Sequence, residues 1–270
     1  MRTAPKEADA APLPAPLGMA SGVAVATEVP VALVYGGISH VVMMASPADL
    51  EDFAFGFSLT EGIVAEAGEI RDLEISSVPG GIEVALSIPP RRMEALKGRR
   101  RNLAGRTGCG LCGVEAIGEA VRRFPAVAEG IPVTEDAVAR ALSALAAHQP
   151  LNARVHALHA AAWAGADGTI AMAREDVGRH NALDKLIGAR ARAGLGFADG
   201  FLVATSRCSV EMVQKAAAMG APMLVTVSAP TSLAISEAEA AGLTLVAGAA
   251  PGRRLAFTHP ARLLAGGRHG

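Results

Sequence analysis

The sequence predicts an α/β protein: a mostly parallel sheet flanked by helices, joined to a smaller N-terminal lobe that contains β-hairpins. Three features lead there. In the second half of the chain, strand-like apolar runs alternate with segments of helical periodicity, the pattern of crossover units on a parallel sheet. In the first half, paired β-rich runs bracket glycine-containing turns. Between the halves lies a Pro- and Gly-containing connector, Pro125 to Pro132, which marks the lobe boundary. The organisation expected is a disordered Ala/Pro-rich tail over residues 1–25, an N-terminal lobe over 26–128 and a C-terminal α/β lobe over 129–270.

Taken in order, the tail is interrupted by Lys6, Glu7 and Asp9 and lacks the compact apolar segment of an export signal. Val31–Tyr35 and Ser39–Met44 flank Gly36-Gly37 and read as a hairpin. Ser46-Pro47 reads as an N-cap followed by proline in the first turn of a helix whose apolar face is Leu50, Phe53, Ala54 and Phe57. Leu73–Val78 and Ile82–Ile88 bracket Pro79-Gly80-Gly81 as a second hairpin. From Arg91 to Arg106 the chain is a basic stretch, followed at once by the Gly-Cys segment and a helical pattern over Val114–Arg123.

In the second half a helix starts near Thr134 and another spans Leu151–Ala164. Thr169–Ala173 is a strand and His180–Ile187 a helix stopped by Gly188. Strands at Phe201–Thr205, Met223–Ser228 and Leu243–Ala247 alternate with helices at Val210–Met219 and Ser232–Ala241. No internal repeat is evident.

With 51% hydrophobic and 19% charged residues over 270 positions, the composition is that of a globular protein with one sizeable core. Aromatics are only 3%, so Ala, Val, Leu, Ile and Met must fill it. The formal charge of −1 gives no global field for nucleic acid or a membrane surface. No run of about 18 apolar residues is present, so a membrane span is not expected and the protein reads as cytoplasmic.

The three cysteines are Cys109, Cys112 and Cys208, too few for a secreted disulfide framework. Glycines at 108, 110 and 113 leave the backbone around Cys109 and Cys112 unencumbered, and nearby arginines with a helix start at Val114 favour the thiolate. A loose thiolate can attack a sulfur donor and, as a persulfide, become one. The rival readings are a zinc site, for which the single pair supplies too few ligands, a thioredoxin-like exchanger, and two inert buried cysteines. The deaminase zinc signature, His-x-Glu with Pro-Cys-x-x-Cys, does not occur. Cys208 lacks such glycine flanks and reads as a packed small residue.

Arg174 to Lys185 packs charged side chains, His180 and Asn181 at a strand-to-helix junction, where parallel sheets bind ligands. Asp176 is placed to cap the helix, and His180 and Asp184 share a face at i, i+4; the bland alternative is a solvated helix face. Thr205–Glu211 and Ser228–Ser232 form two further junctions of hydroxyls, with Arg207, that suit an anion or simply cap helices through Ser209 and Ser232.

Glu175-Asp176-Val177-Gly178-Arg179-His180-Asn181-Ala182-Leu183-Asp184-Lys185, the Cys109/Cys112 loop and Glu211-Met212-Val213-Gln214-Lys215 together resemble the FdhD family, in order over roughly Glu28 to Leu264. Ser46-Pro47-Ala48-Asp49 and Ser228-Ala229-Pro230-Thr231 add to the likeness. The resemblance implies a cytidine-deaminase-like fold, a homodimer, and a sulfurtransferase required for formate dehydrogenase activity. It implies that sulfur is taken from a cysteine desulfurase and passed to the molybdenum bis-guanine-dinucleotide cofactor before insertion into the formate dehydrogenase apoenzyme, with no metal held by the carrier itself. Cys109 would bear the persulfide, and Cys112 would assist or clear the sulfur. The residues expected against the cofactor are Arg207, Ser209, Arg179, His180, His159 and the segment Gly248, Ala249, Ala250, Pro251, Gly252 and Arg253. The chain departs from the family pattern at Val155–His159, at Thr205-Ser206-Arg207, and at 248–253, where only Gly252 and Arg253 keep the family character. The alternative function is a chaperone that binds the cofactor without carrying sulfur.

Overall fold

The computed structural model describes residues 12–104, 124–250 and 253–266. Strands β1 (Leu17–Ala20) and β2 (Val23–Ala26) pair antiparallel about a turn in which Ser21 and Gly22 have φ of 51° and 79°. The tail expected over residues 1–25 is therefore partly structured, because two short apolar runs meet at a glycine that tolerates the left-handed region.

β3 (Val29–Tyr35) and β4 (Ile38–Ala45) form the first expected hairpin, with Gly36 and Gly37 at φ 52° and 78°. β5 (Asp72–Val78) and β6 (Gly81–Ser87) form the second. Parallel pairing of β3 with β6 joins the hairpins into one sheet of order β4-β3-β6-β5. One face carries Val31, Leu33, Tyr35, Ile82, Val84 and Leu86, all buried against helix α1 (Leu50–Thr60) through Phe53, Ala54 and Phe57. The residue before α1 is Asp49, not Ser46; Asp49 has φ 53° and makes no side-chain cap. Ser46 is fully buried because it serves a distant partner, described below.

The basic stretch begins in a helix, α2 (Pro90–Ala104), with proline at its first position. Its start is clamped by Glu69, which takes Arg91 at 2.5 Å and Arg92 at 2.9 Å. The Ala65 backbone N–H, then Arg91, holds the Glu69 carboxyl down at about 2.

Residues 124–132 contain no helix or strand. Beyond them β7 (Val133–Thr134) leads into α3 (Glu135–Ala144), which starts near Thr134 as expected, with Thr134 Oγ1 accepting the Ala137 N–H as an N-cap. α4 (Asn152–Val155) is a single turn, ended by His156 at φ 51°. Strand β8 (His159–Gly165) follows. The helix expected over Leu151–Ala164 is thus mostly strand: alanine's helix propensity is overridden because Ala160 to Ala164 are buried between two neighbouring strands.

β9 (Ile170–Asp176), α5 (Arg179–Arg192), β10 (Gly200–Ala204), α6 (Val210–Ala218), β11 (Met223–Thr226), α7 (Ser232–Ala240), β12 (Thr244–Ala250), β13 (Arg253–Ala256) and β14 (Leu263–Leu264) complete the chain. The large sheet has the order β13-β12-β11-β10-β8-β9. It is mixed rather than mostly parallel: β10, β11 and β12 are parallel, while β8, β9 and β13 pair antiparallel. The β8–β9 connection is a tight turn with Gly168 at φ 84°, too short for a parallel crossover. One face packs Leu202, Leu224 and Leu245 against α5 to α7, and the other packs Phe201, Val203, Val225 and Val246 against α3.

The lobes meet where α1 crosses α5. A Cβ on Gly56 would lie 1.8 Å from the Asp184 carbonyl oxygen, and one on Gly188 would lie 1.8 Å from that of Asp52. Gly188 does not stop the helix; α5 runs through it to Arg192, and glycine stands there because the two backbones nearly touch. Among the described residues no helix is long and apolar enough to cross a membrane.

Candidate functional site

The carboxyl ends of β10, β11 and β12 open onto one rim. Backbone bonds lace the loops that leave them: Val227 N–H donates to the Ala204 carbonyl at 3.1 Å, Thr231 N–H to that of Cys208 at 3.0 Å, and Gly248 N–H to that of Ser228 at 3.2 Å. Since β8 runs the other way, its first residue, His159, reaches the same end, opposite Asp176 at the close of β9. The Thr205 side chain fastens β8 to β10 by accepting the Ala160 N–H at 2.9 Å. His159, Arg179, His180, Arg207 and Ser209, from three separate stretches of sequence, are thereby brought to one edge of the sheet.

Beneath the rim lies a buried ionic joint made from the same motif. Asp176 and Lys185 are both fully buried and pair at 2.6 Å. Asp176 Oδ2 also accepts the Ser46 N–H at 3.0 Å, and Oδ1 accepts the Gly178 N–H and the Asn181 amide. Ser46 answers with its hydroxyl oxygen, which accepts the Val177 N–H at 3.1 Å, and with its carbonyl, which accepts Lys185 Nζ at 3.0 Å. Asn181 adds a bond to the Met44 carbonyl. Asp176 is therefore a hub between the lobes and not the expected helix cap, a position held by Gly178 without a side-chain bond. Its lone pairs are consumed by partners on both sides, as burial of a carboxylate requires.

A second buried pair is built on the residue of α5 that precedes Lys185. Lys215 of α6 reaches both oxygens of Asp184 at 2.9 Å and donates to Thr60 Oγ1 at 3.0 Å, while Thr60 donates to Asp184 at 2.8 Å. Burial pushes the Asp184 carboxyl up, and Lys215 opposes it. His180 and Asp184, expected on one face of a helix, part company: Asp184 faces the joint and His180 the rim. Glu175 does a third structural job, accepting the N–H groups of Leu151 and Asn152 at the start of α4.

At the rim, His180 Nε2 lies 3.5 Å from Ser209 Oγ and 3.9 Å from Glu211 Oε2, with Arg179 beside it. Partial burial, then the Arg179 charge, drives the His180 pKa down to about 4, against the pull of Glu211. Burial and the same arginine also lower His159. Both rings are neutral near pH 7. Arg179 Nε is buried without a hydrogen-bond partner among the described residues. Half-buried cationic and neutral donors with spare hydrogen-bonding capacity suit an anionic, hydrogen-bond-accepting ligand.

Ser209 precedes α6 without forming a side-chain cap, and Thr231, one residue before the expected Ser232, caps α7 by accepting the Ala234 N–H. Arg207 is exposed at the rim. Cys208 is fully buried, and burial pushes its thiol up to about 12, as befits a packed residue. Gly248 sits at a break in the β12–β13 register with φ 64°; Ala249 and Ala250 end β12 and Arg253 begins β13. Cys109, Cys112, Pro251 and Gly252 lie outside the described residues, as do Arg106 and Val114–Arg123. Among the described residues no cluster of three or more His, Cys, Asp or Glu is arranged to hold a metal ion. Sequence reasoning missed Ser46 and Thr60 as partners of the motif. Partners more than a hundred residues from the carboxylates they bind leave no periodic signal.

The FdhD/NarQ family model matches residues 26–264. Sulfur carrier protein FdhD of Xanthomonas euvesicatoria pv. vesicatoria is 52% identical over 239 residues, covering 88% of this chain and 85% of its own. The protein of the same name from Cupriavidus necator is 53% identical over 240 residues, covering 88% and 83%. A formate dehydrogenase accessory protein from Desulfotalea psychrophila, solved by crystallography, superposes with a TM-score of 0.69 at 26% identity, covering 92% of this chain and 96% of that one.

Proposed function

Because this chain belongs to the FdhD/NarQ family, we propose that it is a sulfur carrier: a sulfurtransferase that takes persulfide sulfur from a cysteine desulfurase and passes it to the molybdenum bis-guanine-dinucleotide cofactor before insertion into formate dehydrogenase. The observation that carries this reading is identity above one half, over 88% of the chain, to proteins named sulfur carriers. The Gly-flanked cysteine pair in the sequence agrees with it, and the rim offers what the cofactor's phosphates need. We further read the assembly as a cytoplasmic homodimer. The large sheet reads as cytidine-deaminase-like, on its strand order with a reversed β8 beside the parallel trio.

The chemistry takes two steps. Cys109 thiolate attacks the outer sulfur of the desulfurase persulfide; that S–S bond breaks, the desulfurase cysteine leaves as thiolate, and Cys109 holds the extra sulfur. Cys112 thiolate then attacks Cys109 Sγ, closing a disulfide and releasing the outer sulfur as hydrosulfide toward the cofactor. A thiol reductant reopens the pair. The cofactor is substrate here, its phosphates taken by Arg179 and Arg207 with hydroxyl and imidazole donors beside them. Arg179 Nε, without a partner among the described residues, and the exposed Arg207 support that reading.

Complementation of a strain lacking its own carrier tests the reading. Wild type restores formate dehydrogenase activity and Cys109→Ala does not. Full rescue by Cys109→Ala, with loss of rescue by Arg179→Gln, assigns the chain to cofactor chaperoning instead.

A further inference from the structure

We propose that His159, Arg179 and His180 form one phosphate subsite in which ligand binding is accompanied by proton uptake on the histidines. The inference rests on the reading of the rim as a phosphate site and adds to it how the site responds to pH.

The fold brings two imidazoles to the rim that holds Arg179, near enough for its charge to act on both. His159 opens β8, and Arg179 and His180 open α5. Facing His180 are Ser209 Oγ at 3.5 Å, just before α6, and Glu211 of α6 at 3.9 Å, with Lys215 further along that helix. Asp176, on the strand beside His159, pulls the other way but is already held by Lys185. In the free protein the balance on both rings favours the neutral state, through burial and the Arg179 charge.

A bound phosphate reverses both causes. Its negative charge cancels the Arg179 field, and its oxygens accept from any N–H that the rings present. Among the described residues Arg179 Nε has no hydrogen-bond partner, so the donor set there is incomplete without a ligand. By linkage, whatever raises the proton affinity of the rings must itself bind more tightly when they are protonated. Affinity therefore climbs as pH falls below 7, by up to about tenfold per pH unit for each proton taken up. Glu211 limits the gain, since it supplies part of the compensating charge beforehand.

The test is isothermal titration of the full chain with GDP at pH 6 in two buffers of different ionisation enthalpy, which counts protons taken up per ligand bound. The nucleotide's own phosphate proton is common to all proteins and drops out of comparisons. Wild type takes up more protons than His159→Gln/His180→Gln, and in wild type the NMR titration midpoint of His180 moves upward on saturation with GDP. Equal proton uptake by both proteins, both binding GDP, overturns the linkage and leaves the phosphate site standing. Failure of wild type to bind GDP at all overturns the site and the linkage with it.

Discussion

The Glu175–Lys185 string serves two regions with opposite physics. Its inward residues, Asp176, Asn181, Asp184 and Lys185, are buried, fully partnered and committed to holding α1 and Ser46 against α5. Its outward residues, Arg179 and His180, are half-buried, and among the described residues Arg179 keeps a donor unspent. One motif thus supplies both the joint and the edge proposed to bind the ligand. The difference teaches that charge density in a short string is no measure of ligand contact. What separates the two roles is whether each polar atom already has a protein partner.

Substitutions that sharpen the contrast fall in a clear order. Lys185→Met strands a carboxylate at zero exposure and costs about 3–5 kcal/mol of unfolding free energy, read from denaturant melts. A loss below about 1 kcal/mol would mean that the joint is not the keystone drawn here. Gly56→Ala comes next. Its methyl would meet the Asp184 carbonyl at 1.8 Å, so the helices must separate, at about 1–3 kcal/mol and with α1 amides exchanging faster.

The acid limb of the stability curve probes the rim and, at lower pH, the Glu69 clamp on α2. Between pH about 6.5 and about 4 the unfolded chain binds a proton at His180 that the folded chain refuses, so stability is complete above that window and declines through it on acidification. His180→Gln flattens this decline. Glu69 acts lower: its folded pKa of about 2 keeps stability whole above about 4.5 and surrenders it as pH falls toward 2, a slope that Glu69→Gln removes. Smallest of all on stability is Arg207→Gln, expected within about 0.5 kcal/mol because the residue is exposed, while binding of a phosphate ligand drops measurably. Equal losses of stability from Arg207→Gln and Lys185→Met would erase the distinction between rim and joint.

Much of this arrangement was legible before any coordinates. Gly36-Gly37 and Gly80 sit between alternating apolar runs, so both hairpins could be read locally. Thr134 capped as its chemistry suggests. The misreadings share a cause: tertiary contacts decided them. Ala160–Ala164 carries no β-branched residue, and only its place between β9 and β10 makes it a strand. Gly188 looks like a helix stop until α1 is laid across it. At the site, the residue set at the rim could be named because family strings flag it, whereas its division into partnered and unpartnered members could not. That division depends on Ser46 and Thr60, more than a hundred positions from the carboxylates they bind.

The proposed sulfur carriage rests on Cys109. The most direct measurement is mass spectrometry of the full chain after incubation with a cysteine desulfurase and cysteine. One additional, reductant-labile sulfur on the peptide bearing Cys109, absent from Cys109→Ala, is the expected result. A wild-type Cys109 that stays unmodified while the desulfurase turns over contradicts it.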